Sequence, residues 1–269
     1  MSRLTRIVVA ALLVLASSPA LLAQRGGGPP VPAPLPRVAA PIDLTGYWVS
    51  IVTQDWRWRM LPPARGDYSG IQLTPEARKV ADAWDPAKDE AGGEPCRSYG
   101  APALMSVPGR VHITWEDDRT LRVDTDAGTQ TRLLRFEGGP SQPNAPRSWQ
   151  GTSVAQWLTP RPNVPLILRP AVPTAGDDLL SGPRGGSLRV VTTNLRPGYL
   201  RKNGVPYSQD AVLTEHWDVF TDGNGQEWLT ITTQVEDSVY LRQPRRIAVP
   251  FTREPDGSKW DPTPCSARW

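Results

Sequence analysis

Only two histidines and two cysteines occur among 269 residues. Cys96 and Cys265 lie far apart and share no metal-ligand spacing with each other or with a histidine pair, which excludes the usual clustered zinc sites. No apolar run approaches the roughly 20 residues that a membrane-spanning helix needs. Strong charge of one sign is also lacking. Four of the 30 cations, Arg3, Arg6, Arg25 and Arg37, precede Asp43, leaving 26 basic against 27 acidic residues in the rest. A nucleic-acid reader concentrates Lys and Arg on one face, so no nucleic-acid partner is expected. No repeat of fixed period is present, which argues against a solenoid or propeller.

The first residues read as an export signal. Arg3 and Arg6 precede the apolar run Ile7 to Ala16, and Pro19 and the small-residue exit Ala20 to Ala23 follow. Cleavage near Ala23 would divide the chain into signal peptide (1–23), Pro/Gly-rich linker (24–42) and one domain (43–269). The mature chain is then expected in the periplasm or secreted, with no transmembrane segment; the alternative is an N-terminal helix kept as a tether. No cysteine stands near the cleavage point to accept a lipid. In such an oxidising compartment an even cysteine count suggests one disulfide, Cys96 to Cys265, with two unpaired thiols as the alternative.

Short alternating runs rich in Val, Ile, Thr and Trp dominate the body. Val111, Ile113 and Trp115 share one strand face, and His112, Thr114 and Glu116 the other. With Leu121 to Thr125 and Thr129 to Phe136 they form a meander. Further runs lie at Leu44 to Thr53, Gly151 to Leu158, Ser187 to Leu195, Ala211 to Phe220, Glu227 to Val235 and Arg246 to Phe251, about nine strands in all. Asp222-Gly223-Asn224-Gly225 has hairpin-turn chemistry. One short helix is expected, with Thr74 as cap, Pro75 in its first turn and Glu76 to Trp84 continuing it. Two Pro/Gly-rich stretches, Gly138 to Arg147 and Thr159 to Gly186, read as long loops. Many antiparallel strands with few helices hide their edges by closing into a barrel; a two-sheet β-sandwich is the alternative.

Several motifs approach chemistry without completing it. Gly151-Thr152-Ser153-Val154-Ala155 approximates a nucleophile elbow, but Ala replaces the last Gly and the continuation reads as strand. Asp222 to Glu227 approximates a calcium loop, but the sixth position lacks Gly and the twelfth lacks Glu. No metal or cofactor is therefore expected. His112 shares a face with Glu116, and His216 with Asp218; in one barrel lumen these groups would serve acid–base catalysis. Outside such a lumen they are ordinary strand residues.

Asp55-Trp56-Arg57-Trp58-Arg59 alternates indoles with guanidiniums, and the chain holds 11 Trp against 3 Phe. Amphipathic rings suit a barrel mouth as well as a core. The connection from Arg196 to Tyr207 carries Tyr199, Arg201, Lys202 and Tyr207; it offers an anion-recognising rim or simply a solvated turn.

Leu44-Thr45-Gly46-Tyr47-Trp48 resembles the Gly-x-Trp opening of lipocalin-like barrels. That resemblance implies that Trp48 closes one barrel end against an Arg from a late strand, with Arg245 or Arg246 in reach. The segments DWRWRM, CRSYGAPALMSVPGR, HITWEDDRTLRVDTDAGTQTR, SWQGTSVAQW, VVTTNLRPGYLRKNGVPYS and LTEHWDVF resemble a family of secreted bacterial proteins whose activity is uncharacterised, so no catalytic residue comes with that resemblance.

The expected architecture is thus a mainly β, antiparallel, lipocalin-like barrel. The leading functional expectation is a binding protein for a small amphipathic or apolar ligand, with Trp56, Arg57 and Trp58 lining its pocket and Tyr199, Arg201, Lys202 and Tyr207 at its rim. Two alternatives stand beside it: a hydrolase or isomerase using His112 or His216, and an envelope assembly factor that binds another protein through a sheet edge.

Overall fold

A computed structural model describes residues 34–61, 63–137, 145–159 and 185–268. The signal-like segment, most of the linker, and the greater part of both Pro/Gly-rich stretches lie outside the described residues.

Each alternating run folds as a strand because one face can be buried and the other wetted. The strands are β1 (Gly46–Ser50), β2 (Arg110–Asp117), β3 (Thr120–Thr125), β4 (Gln130–Phe136), β5 (Thr152–Leu158), β6 (Ser187–Thr193), β7 (Gly198–Tyr199), β8 (Pro206–Tyr207), β9 (Val212–Thr221), β10 (Glu227–Glu236) and β11 (Arg245–Glu254). Nine of them close into a barrel in the order β1-β11-β10-β9-β6-β5-β4-β3-β2, while β7 and β8 pair by themselves. The barrel is mixed rather than purely antiparallel: β5 lies parallel to β4, with Leu134 opposite Ser153. β4 and β5 are therefore not the two arms of a tight hairpin.

Inward positions are filled. Trp48, Ile113, Leu121, Val123, Leu134, Leu188, Trp217, Leu229, Ile231, Val249 and Phe251 pack into one core with almost no exposure. Interior side chains of a small barrel fill its lumen in this way. Toward one end that packing turns polar. Arg132 and Glu215, both fully buried, form a paired contact of 3.0 and 2.6 Å, and Thr192 and Ser153 complete the layer.

The late-strand arginine over Trp48 is Arg253, whose guanidinium stands 4.2 Å from the indole centre and donates to the carbonyls of Thr45 and Asp43. Arg245 and Arg246 do not fill that place. In β11 residues 245 and 253 lie at opposite ends of the strand, and Arg246 is exposed against Gln234.

Among the described residues four short α-helices stand where one was expected: α1 (Trp56–Met60), α2 (Pro75–Asp82), α3 (Pro86–Ala91) and α4 (Ala101–Leu104). In α2 the Thr74 hydroxyl caps the Ala77 amide as its sequence implied. The helix stops at Asp82, short of the expected Trp84, and Pro86 opens α3, because Asp85 caps Ala87 and a proline suits a first turn. The helices, with the β7–β8 hairpin, cover the barrel end from which β1, β6 and β10 exit. There they build a second core from Tyr68, Leu73, Ala77, Ala81, Leu200, Val205, Tyr207 and Leu241. Cys96 in the turn before α4 is disulfide-bonded to Cys265, tying the C-terminal segment to this cap.

Candidate anion site between cap and barrel

The site begins where β1 leaves the barrel. Asp55 adopts the left-handed conformation (φ 55°), and its carbonyl accepts the amides of Trp58 and Arg59, starting α1. Along a helix, residues two apart point to nearly opposite sides. The indole–guanidinium alternation is therefore split: Trp56, Arg57 and Met60 are exposed, while Trp58 is half-buried and Arg59 buried. Trp58 donates to Asp67 at 3.0 Å, which fixes its ring as a wall.

The β7–β8 hairpin supplies two further cations. Its tip is not solvated: Leu200, Arg201, Lys202, Asn203 and Val205 are all buried. Gly204 at φ 81° makes this possible, because a Cβ there would lie only 2.2 Å from that of Trp84. Arg201 donates to the Ser69 carbonyl at 2.7 Å and lies 4.6 Å from the Trp58 ring centre. Lys202 donates to the Tyr99 hydroxyl at 2.6 Å. Arg245, the first residue of β11, reaches the same place from the barrel.

These groups enclose a cleft of about 30 Å³. By volume this holds about two water-sized groups. Asp55 and Trp58 stand at its half-exposed side, Ser98 and Ser106 add polar atoms, and Ala103, Val107 and Leu200 add an apolar wall. Four cations line it, each at least nine-tenths buried: Arg59, Arg201, Lys202 and Arg245. Among the described lining residues Asp55 is the one carboxylate, 3.5 Å from both Arg201 and Arg245.

Taking an ion out of water costs several kcal/mol unless an opposite charge and hydrogen bonds replace the solvent. Here replacement is incomplete. Arg59 donates to the carbonyls of Ser106 (2.8 Å) and Gln54 (3.5 Å), yet its Nη2, together with Nε of Arg201 and Nη1 of Arg245, is buried with no hydrogen-bond partner. Burial is the main cause that pulls all four cations below their ordinary pKa, Arg245 to about 10 and Lys202 to about 8. At Arg245 the repulsion of Arg201 and Arg59 adds to burial, and Asp55 opposes it.

Of the residues singled out from sequence, the fold brings Trp58, Arg201 and Lys202 together. Trp56 and Arg57 face away. Tyr199 is buried beneath Arg97 and bonded to Asp89, and the Tyr207 hydroxyl packs against Gly100 and Gly198; neither ring lines the cleft. His112 lies on the outer barrel face, stacked at 4.0 Å on Tyr47. Glu116 pairs with Arg122 in the open. His216 also faces outward, alternating with buried Trp217, and Asp218 is exposed. The two histidines are four strands apart around the barrel, so the shared-lumen constellation is not formed.

Arg59, Arg245 and Asp55 were not singled out as ligand-binding from sequence. Arg59 was visible in the indole–guanidinium alternation, whereas nothing local marks Arg245 as converging with residue 201. Among the described residues no group of three or more His, Cys, Asp or Glu side chains could hold a metal ion, and no helix is long and apolar enough to cross a membrane. No protein-family model matches the chain, nor does any curated protein or solved structure.

Proposed function

We propose that the protein binds a small amphipathic anion, its charged group seated among Arg59, Arg201, Lys202 and Arg245 and its apolar remainder extending out of the cleft past Trp58 at the half-exposed side. The observation that carries this reading is the excess of buried positive charge around one cleft, with three guanidinium nitrogens unpartnered. Guanidinium forks bind carboxylates and related oxyanions through paired, charge-assisted hydrogen bonds. The filled barrel core supports a ligand at the rim rather than in the lumen. The reading keeps the location expected from the N-terminal signal, outside the cytoplasm, and the Cys96–Cys265 disulfide supports an oxidising compartment.

Titration of anion-free protein with acetate, phosphate and sulfate, followed by tryptophan fluorescence and calorimetry, tests it. Saturable binding of at least one anion is expected, and R245M should weaken it by about tenfold to a hundredfold, the worth of a charge-assisted contact. No binding at millimolar concentrations, or binding indifferent to R245M, would contradict it.

A further inference from the structure

We propose that the group this cleft takes is the carboxylate of a monocarboxylic acid rather than a tetrahedral oxyanion such as phosphate or sulfate; this rests on the anion-site reading. Size is the first reason. The cleft of about 30 Å³ holds about two water-sized groups. A carboxylate presents two oxygens, and a phosphate or sulfate has twice as many to house.

The lining is also one-sided. Its unpartnered donors are Nη2 of Arg59, Nε of Arg201 and Nη1 of Arg245, while the side chains of Ala103, Val107 and Leu200 form a wall that donates nothing. A carboxylate suits this division, because its oxygens lie together on one side of a carbon that needs no donor. A tetrahedral oxyanion spreads its oxygens in all directions, so at least one is left against the apolar wall. An acceptor buried unpaired in this way weakens binding by about tenfold to a hundredfold. The protein already places one carboxylate between two of these cations: that of Asp55, 3.5 Å from both Arg201 and Arg245.

Asp55 further restricts the charge of the ligand. It stands with Trp58 at the half-exposed side, where the rest of the acid leaves the cleft. A second carboxylate on that part would face Asp55, so like charge selects a single carboxylate with a neutral remainder.

Calorimetric titration of the full chain with formate, acetate, malonate, phosphate and sulfate at constant ionic strength tests the assignment, with binding ascribed to the cleft where R245M or R59M weakens it. Formate and acetate are expected to bind at least about tenfold tighter than phosphate or sulfate. Acetate should also exceed malonate, and D55N should narrow that gap by about tenfold, because it removes the charge that faces the second carboxylate. Phosphate, sulfate or malonate bound as tightly as acetate would overturn the assignment and leave the anion site standing, and so would a gap between acetate and malonate that D55N leaves unchanged. If none of these anions binds, or if binding ignores both arginine variants, the anion site falls as well.

Discussion

Replacing Asp55 by Asn separates a competing carboxylate from a helping one. Asp55 lies 3.5 Å from a guanidinium nitrogen of both Arg201 and Arg245 and is only partly exposed. At an effective dielectric constant of about 20, each contact has a Coulomb energy of at most about 5 kcal/mol before desolvation and screening. The 3.5 Å separations and solvent at one side reduce the measurable contribution to stability to about 2 kcal/mol. Asn tolerates the left-handed backbone of residue 55, so α1 should survive. Without ligand, urea denaturation should show D55N less stable by about that amount, because Arg201 and Arg245 then lose the carboxylate they share. Anion binding should move the other way. Removing a negative charge a few ångströms from the ligand should tighten acetate about tenfold, or about 1.4 kcal/mol. Equal or weaker acetate binding in D55N would refute the argument that Asp55 occupies charge the ligand would otherwise satisfy.

Other consequences concern the scaffold. E215Q leaves the fully buried Arg132 without its counter-ion and should cost about 3–5 kcal/mol by chemical denaturation, whereas R132M/E215L should be neutral or stabilising, since well-packed apolar pairs often replace buried ion pairs without loss. A double variant as unstable as E215Q would show that the layer depends on shape rather than charge. The depressed pKa of Lys202 makes stability depend on pH with a definite sign. Between about 8 and the ordinary lysine value of about 10.4, the unfolded chain holds more protons than the folded one, so stability rises with pH. The rise should amount to at most about 3 kcal/mol. Thermal melts from pH 7.5 to 9.5 should show it in the wild type and a flatter profile in K202M; that window stays below the region where Tyr68 and Tyr199, raised to about 12 chiefly by burial, take part.

Much of the barrel was legible because its physics is local. A strand with one wet face must alternate, and Val111-His112-Ile113 or Leu213-Thr214-Glu215-His216-Trp217 states which residues go in. Asp222 to Gly225 and the Thr74 cap were readable for the same reason. Strand direction is not local: alternation in Thr152 to Leu158 is identical whether β5 runs with β4 or against it. The segment Trp56 to Met60 was ambiguous because a two-residue alternation looks like a strand, whereas one turn of helix sends its members to opposite sides. The cleft was the least legible part. It depends on residues 55–59, 98–107, 200–202 and 245 converging, and the charges at Arg201 and Lys202 look in sequence like any solvated turn. The packing of Gly204 against Trp84 and the bond from Arg201 to the Ser69 carbonyl show that this turn is driven inward.

The central claim, that buried guanidiniums around this cleft await an anion, is tested most directly by a crystal structure of the protein grown with acetate. The account predicts a carboxylate within hydrogen-bond distance of the nitrogens now without partners on Arg59, Arg201 or Arg245. Ordered water alone in the cleft, with acetate seated elsewhere on the surface, would contradict it.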